Sequence, residues 1–137
     1  MNMYDICLLH ARSDRMFRSA VAAQLEKSQI TMMEWLLLGV VSAGSPKGVT
    51  MSNVADELRV TLPQVTALVN KLLPQKLIKQ KSATSDRRSR LVLLTNKGQL
   101  VFDDMKELME KSQPQIFTGV TDEQLHEYLI VMSRLAN

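Results

Sequence analysis

The fold is decided by residues 50–73, which read TMSNVADELRVTLPQVTALVNKLL. The first third of this stretch has apolar residues at helical spacing, which predicts a short amphipathic helix over residues 51–58. Its apolar side comprises Val54, Ala55 and Leu58. Charged residues occupy the opposite side, so this helix would pack through one face only.

A second helix begins almost immediately after the first. Thr61 has the residue type of an N-cap and Gln64 that of its reciprocal partner, and Pro63 is tolerated within a first helical turn. The apolar stripe of this helix comprises Val65, Leu68, Val69 and Leu72. A connection this short between two amphipathic helices predicts a helix-turn-helix. The alternative is a helical hairpin inside a bundle, in which Gln64 only caps its helix.

Two short strands follow the second helix. Residues 77–82 and 90–94 have the composition of β-strands, and the second of them, RLVLL, is the clearer. The polar residues 83–89 join the two strands, which predicts a β-hairpin. The order helix, tight turn, helix and hairpin is that of a winged helix-turn-helix, which we place at residues 50–97.

Four other segments are predicted as helices, because they are amphipathic or almost wholly apolar at helical spacing. They are residues 3–27, 32–43, 96–112 and 121–137. Thr31 with Glu34, and Thr121 with Gln124, have the spacing of capping boxes that begin the second and fourth of these helices. Thr95 is expected to cap the third, and Pro114 and Gly119 to end it. The predicted fold class is therefore mainly α with a small β-hairpin wing.

Length and composition are those of a small globular protein. A chain of 137 residues with 45% hydrophobic content suits one domain over residues 1–137. The single cysteine cannot form an intramolecular disulfide or hold zinc alone, which fits a reducing compartment. The longest apolar run, residues 35–43, is too short to span a bilayer. We expect a cytoplasmic protein with no membrane partner.

Positive charge is concentrated in one part of the chain. Residues 71–97 hold eight basic residues and one acid, a net charge of +7, whereas the whole chain carries +3. The rest of the chain therefore carries −4. A basic segment on an acidic body is typical of a protein that binds a polyanion, although Lys and Arg can equally serve as a solvated surface.

In a helix-turn-helix the second helix enters the major groove of duplex DNA by its N-terminal part. We predict DNA contacts by Thr61, Pro63, Gln64, Thr66, Ala67, Asn70 and Lys71. Glutamine can bind adenine through two hydrogen bonds, and threonine can contact a phosphate or a thymine methyl.

The hairpin is the second predicted DNA contact. Its candidate residues are Lys79, Lys81, Ser85, Asp86, Arg87, Arg88 and Arg90. A two-stranded finger cannot bury arginines in a core of its own, but it can insert them into the minor groove, where the potential is most negative. Asp86 would orient one arginine through a charged hydrogen bond. The alternative is an exposed, salt-bridged turn of little energetic value.

Six runs together carry a resemblance to a known family: SNVADEL (52–58), VTLPQVT (60–66), VNKL (69–72), KLI (76–78), DRR (86–88) and LTNKG (94–98). They resemble the MarR family of bacterial transcriptional regulators, and the resemblance covers nearly the whole chain. The family is a winged helix-turn-helix dimer that usually represses transcription at palindromic operators. The resemblance implies dimerisation through helices 3–27 and 121–137, a recognition helix at residues 61–73 and a wing tip at residues 83–89.

Two positions of the recognition helix depart from that family's pattern. Many members have a basic residue where Ala67 stands and a polar residue at Leu62. No Arg or Lys precedes Lys71 in this helix, so its N-terminal half lacks an arginine that could bind guanine.

The chain has nine methionines, and flexible methionine side chains can line an adaptable pocket. The candidate ligand-binding residues are Met16, Met32 and Trp35, although methionines at helical spacing more often belong to a core. Because members of the family often bind small aromatic acids or other amphiphiles, the resemblance implies a small aromatic or amphiphilic effector.

Cys7 is the candidate redox thiol, because its position resembles that of the reactive cysteine in the branch of the family that senses organic hydroperoxides. Tyrosines stabilise the thiolate in that branch. The matching positions here are Ala11, Val21 and Met32, none of which can donate a hydrogen bond. The alternative is an inert cysteine on the dimer face. His10 and His126 are isolated in the sequence, so no metal and no other cofactor is expected.

No catalytic motif is recognisable in the sequence, which has no glycine-rich phosphate loop, no nucleophile beside a base and no paired carboxylates. We predict a sequence-specific, DNA-binding transcriptional regulator and not an enzyme. It would act as a homodimeric repressor on a palindromic operator and be released by a small ligand. The alternative is a winged-helix module that binds protein and does not recognise an operator.

Overall fold

The structure is a computed structural model that describes residues 1–82 and 90–137. The first part forms α1 (Met3–Leu25), a 3-10 turn (Glu26–Ser28), α2 (Met32–Ala43), β1 (Val49–Thr50), α3 (Met51–Leu58), α4 (Leu62–Leu72) and β2 (Ile78–Ser82). The second part forms β3 (Arg90–Leu94), α5 (Asn96–Ile116) and α6 (Asp122–Ala136). A mainly helical fold with a small antiparallel sheet confirms the predicted fold class. Within these two ranges, no helix is both long and apolar enough to cross a bilayer.

Threonine side chains begin most of these helices. Thr31 Oγ1 accepts the Glu34 backbone N–H at 3.2 Å, and the Glu34 carboxylate accepts the Thr31 N–H at 3.1 Å. The same reciprocal pair forms between Thr121 and Gln124, so both predicted capping boxes are confirmed. Each box satisfies two backbone donors that a first helical turn leaves without partners.

α2 runs through the centre of the core, as its uniformly apolar sequence predicts. Leu37, Leu38 and Val41 of this helix are completely buried. The buried side chains that pack around them include Val54 and Ala55 of α3, Val65, Val69 and Leu72 of α4, and Val92 of β3. This packing orients α3 and α4 so that their opposite faces remain in solvent.

The sheet has one strand more than the predicted hairpin. β2 and β3 pair antiparallel, which confirms the hairpin strands, and β1 pairs with the other edge of β3. The strand order is therefore β1-β3-β2. Only Val49 and Thr50 form β1, and two residues are too few for an alternating pattern to identify a strand.

The prediction that Pro114 ends its helix is wrong, because α5 continues two residues beyond it. A proline removes one backbone donor and crowds the carbonyl four residues earlier, but here it lies in the last turn. α1 packs against this end of α5: Ser112 Oγ donates to Gln24 Oε1 at 3.0 Å, and the Phe17 and Phe117 rings lie 6.0 Å apart. These contacts between helices support the last turn despite the proline.

The hairpin joins α5 at a close junction that explains the LTNKG run. Thr95 Oγ1 accepts the Gly98 N–H at 3.0 Å and donates to the Lys76 carbonyl at 2.6 Å. The Thr95 backbone N–H donates to the Leu77 carbonyl at 3.1 Å. A Cβ atom at position 98 would overlap that carbonyl oxygen and lie 2.9 Å from its carbon. Only glycine therefore allows α5 to begin this close to the strand.

Candidate nucleic-acid interface

α3 and α4 form a helix-turn-helix with a short connection. Arg59 follows α3 in the left-handed conformation, with φ of 55°, and its backbone N–H donates to the Ala55 and Asp56 carbonyls. The Val60 N–H donates to the Ala55 carbonyl at 3.0 Å, and Thr61 then caps α4. These bonds satisfy the backbone groups at both helix ends and hold the turn that the sequence predicts.

α4 presents its predicted DNA-contacting residues to solvent. Thr61, Pro63, Gln64, Thr66, Ala67, Asn70 and Lys71 are all exposed. The opposite face is anchored in the core by Val65, Val69 and Leu72. Leu62, at the first helical position, lies outside the predicted set but is 48% exposed. An apolar residue at the first position of a recognition helix is the signal by which sequence reasoning could have found it.

Hydrogen bonds within α4 already engage three of these side chains. The Gln64 side-chain oxygen accepts the Thr61 N–H at 2.9 Å, and Thr61 Oγ1 accepts the Gln64 N–H at 3.3 Å, which confirms the third capping box. The Thr66 hydroxyl donates to the Leu62 carbonyl at 3.1 Å. A two-point contact with adenine needs the glutamine oxygen as an acceptor. Adenine readout by Gln64 would therefore compete with its cap, whose loss costs about 1 kcal/mol.

The hairpin carries basic groups on both of its faces. Side chains alternate along β2, so the exposed Lys79 and Lys81 share one face and Gln80 points to the other. The Arg90 guanidinium donates to Gln80 Oε1 at 3.4 Å, which places it on the Gln80 face. Gln80 Nε2 in turn donates to the Met51 sulfur at 3.6 Å, which ties this face of the hairpin to the start of α3.

We use the name basic surface for four exposed cations, which are Lys71 of α4, Lys79 and Lys81 on one face of the hairpin, and Arg90 on its other face. The ion pairs formed among the described residues, Asp14–Arg18 and Glu107–Lys111, both lie on other helices. Carboxylates of the described part therefore do not neutralise the basic surface. The remaining predicted wing contacts, Ser85, Asp86, Arg87 and Arg88, lie outside the described residues.

Known proteins share both the sequence pattern and the fold. A sequence model of the MarR family matches residues 28–89, which include the helix-turn-helix. A MarR-family transcriptional regulator from Rhodococcus sp. RHA1, 22% identical, has a TM-score of 0.87 over 99% of this chain and 95% of that chain. The chain therefore shares the sequence pattern of the MarR family over residues 28–89 and has the fold of a MarR-family regulator. The family consists of winged-helix, DNA-binding transcription regulators and not of enzymes.

Two further MarR-family neighbours carry partners in their structures. One is a cysteine-to-serine mutant of MarR from E. coli in complex with operator DNA, which is 14% identical, with a TM-score of 0.87 over 98% of this chain and 99% of that chain. The other is CouR from Rhodococcus jostii RHA1 bound to p-coumaroyl-CoA. It is 25% identical, with a TM-score of 0.82 over 96% of this chain and 92% of that chain.

A cavity of about 880 Å³ lies between α2, α3 and α5. Trp35 and Phe102 form an aromatic wall, with ring centroids 6.1 Å apart. The Trp35 indole N–H donates to the Phe102 carbonyl at 3.4 Å, which holds the ring in place. Charged side chains of α3 and α5, namely Asp56, Glu57 and Lys106, also line the cavity and are exposed. The cavity thus combines an apolar wall with a charged rim.

The three predicted ligand-binding residues do not share one cavity. Trp35 lines the cavity just described, whereas Met16 lines another of about 780 Å³ between α1 and the junction of α5 with α6. Met32 is half-buried in the first turn of α2 and lines neither of the two. Phe102 is a cavity residue that sequence reasoning missed, because an aromatic residue on an amphipathic helix usually indicates core.

α1 and α6 expose many large apolar side chains, which we call the terminal-helix face. Its members are Met3, Tyr4, Ile6, Leu8, Leu9, Met16 and Phe17 of α1, and Tyr128, Leu129, Val131, Met132 and Leu135 of α6. α6 has no buried residue, and α1 buries only Val21 and Leu25. Cys7 lies within this part of α1 and is exposed in the single chain.

Proposed function

We propose that this chain is a homodimeric MarR-family repressor that binds a palindromic operator and releases it when a small effector binds. The exposed face of α4 beside the basic surface carries this proposal, since the other face of α4 is held in the core. When basic side chains of a protein bind DNA phosphates, they displace counterions, and this effect supplies most of the protein's sequence-independent affinity for DNA. The operator complex of the E. coli MarR neighbour, which has the same fold, supports this use of the surface.

In the proposed complex, α4 enters the major groove and the hairpin follows the adjacent backbone. Lys79 and Lys81 would contact phosphates, and Arg87 or Arg88 would enter the neighbouring minor groove, with Asp86 orienting one of them. Two-fold symmetry would place the two copies of α4 about one helical turn, ~34 Å, apart.

The terminal-helix face supplies the dimer contact in this proposal. α1 and α6 are neighbours, because both line the cavity of about 780 Å³. A soluble monomer rarely leaves so many large apolar side chains exposed together, and a 15-residue helix such as α6 has little stability without a packing partner. A second copy packing its own α1 and α6 here would cover the face in both chains.

The cavity between α2, α3 and α5 is the proposed effector site. An aromatic wall with a few polar groups at the rim suits a small aromatic or amphiphilic molecule. α3 leads directly into α4, whereas α2 and α5 belong to the scaffold, so a ligand wedged between them would shift α4 as well. The neighbour CouR is bound to p-coumaroyl-CoA, which supports a ligand-responsive role.

DNA binding measured as a function of salt tests this proposal. The probe is the duplex adjoining the protein's own gene, compared with a scrambled duplex of the same composition. We expect the native duplex to bind at least about 1,000-fold more tightly than the scrambled one at physiological salt, with an affinity that falls steeply as salt rises. A folded dimer without affinity for the native duplex at low salt would support the alternative, a winged-helix module that binds protein.

A further inference from the structure

We infer, on the basis of the proposed function, that α4 reads its operator mainly through thymine methyl groups and not through paired hydrogen bonds. The side chains that would do so form what we call the apolar reading surface: Leu62, Pro63, Thr66 and Ala67. All four are exposed.

The position of these residues on α4 is the first support. Pro63 and Ala67 are four residues apart and lie in one row along the helix, and Leu62 and Thr66 form the adjacent row. Both rows belong to the first two turns of α4. The N-terminal part of a recognition helix is the part that reaches base edges, so these side chains would be the first to enter the groove.

The hydrogen-bonding state of the same turns is the second support. Gln64 and Thr61 bond to each other's backbone N–H groups. The Thr66 hydroxyl donates to the Leu62 carbonyl at 3.1 Å, so its only donor is used, and the γ-methyl and the acceptor lone pairs of the oxygen remain for a partner. The paired hydrogen bonds that Gln64 could make with a base edge would therefore compete with its cap, whereas the apolar surface of Leu62, Pro63, Ala67 and the Thr66 methyl is free to contact DNA.

Thymine is the base whose edge matches such a surface. In the major groove it presents a C5-methyl group beside its O4 acceptor, whereas the other base edges present polar groups. An apolar side chain placed against a polar edge would remove water without replacing its hydrogen bonds, which is unfavourable. Lys71 and the hairpin cations would supply affinity through phosphate contacts. The methyl contacts would then need to supply only the sequence specificity of α4. We therefore expect A·T pairs where α4 meets each half-site.

The size of the expected effect follows from the burial of a methyl group. Burying one such group changes an equilibrium constant by about fourfold. A symmetric dimer loses the contact in both half-sites, so removal of one methyl per half-site should weaken binding by about fifteenfold.

Removing thymine methyls from the DNA tests the inference directly. The purified full-length protein selects duplexes from a random library, and each thymine pair in the selected palindrome is then replaced by deoxyuridine, which lacks only the C5-methyl. We expect at least one symmetric replacement to weaken binding about fifteenfold. If every replacement is neutral while the duplex still binds tightly, the inference is overturned and the proposed function stands. If no duplex is enriched even at low salt, both are overturned.

Matched protein variants give the second arm of the test. Thr66→Ser keeps the hydroxyl and loses the methyl, whereas Thr66→Val keeps the methyl and loses the hydroxyl. We expect Thr66→Ser or Leu62→Ala to weaken binding to the thymine duplex but not to the matching deoxyuridine duplex, because the two losses remove the same contact. Thr66→Val should retain the wild type's dependence on the thymine methyls, because it keeps the methyl that makes the contact. The inference is overturned if Thr66→Val loses this dependence, or if Thr66→Ser and Leu62→Ala both still lose as much affinity as the wild type when deoxyuridine replaces thymine.

Discussion

Replacing Lys79 and Lys81 together by alanine should flatten the salt dependence of operator binding. Both side chains are exposed on β2, on the face opposite Gln80, so their removal disturbs no core contact. In a symmetric dimer the double variant loses four phosphate contacts. Since log Kd changes by about 0.9 per log unit of salt for each neutralised phosphate, the slope should fall by about 3 to 4.

The smaller salt dependence of the double variant also determines how its Kd approaches the wild-type Kd as salt rises. A fourfold rise in salt, from about 50 to about 200 mM, should reduce the ratio of the variant's Kd to the wild-type Kd by about a hundredfold. The variant therefore binds much more weakly at low salt and approaches the wild type at high salt. A loss of base contacts would instead leave the ratio nearly independent of salt.

Fluorescence anisotropy with a labelled palindromic duplex over this salt range measures both slopes. Lys111→Ala is the matched control, because Lys111 pairs with Glu107 at 2.9 Å on α5, away from the basic surface; its slope should equal that of the wild type. An unchanged slope for the double variant, with an unchanged circular dichroism spectrum, would refute the assignment of the hairpin to the DNA backbone.

Gly98→Ala should lower the free energy of unfolding by about 3 kcal/mol, because overlap of the new Cβ with the Leu77 carbonyl outweighs a gain of about 1 kcal/mol in helix propensity. Urea denaturation measures this loss, and the exposed Asn96→Ala in the same helical turn should change stability by less than about 1 kcal/mol. Leu129→Glu should convert the dimer into monomers in analytical ultracentrifugation, because it would bury a charge in the interface; a persistent dimer would exclude the terminal-helix face as the contact. Trp35 is the only tryptophan of the chain, so an aromatic effector in the cavity should change its fluorescence at the concentration that releases DNA. Release without any change in fluorescence would place the effector elsewhere.

The sequence was sufficient to predict the position of the candidate DNA-binding surface. It was not sufficient to predict how the side chains of that surface are used. The exposed side of α4 is predictable, because helical periodicity alone separates it from the buried stripe. Whether Gln64 caps its helix or reads a base cannot be decided from residue type, since both uses need the same amide oxygen. Leu62 was left out of the predicted contacts because it is apolar where many members of the family have a polar residue, yet its place at the first helical position leaves it exposed.

The sequence by itself determined where the helices begin and which faces they bury. Thr31, Thr61 and Thr121 form the capping boxes that their spacing predicts, because these hydrogen bonds join residues three apart in the chain. The helix-turn-helix follows for the same reason, since two adjacent amphipathic helices and their short turn are encoded within one continuous stretch.

Only the tertiary structure decided which of those faces meet. α1 supports α5 beyond Pro114 through a hydrogen bond between Gln24 and Ser112, 88 residues apart. Met16 and Trp35, grouped as one pocket from their residue types, line different cavities. The third strand of the sheet, β1, consists of only Val49 and Thr50, which are too few to show a strand pattern in the sequence. Such contacts depend on the packing of elements that are distant in the chain, and periodicity within a single element carries no information about them.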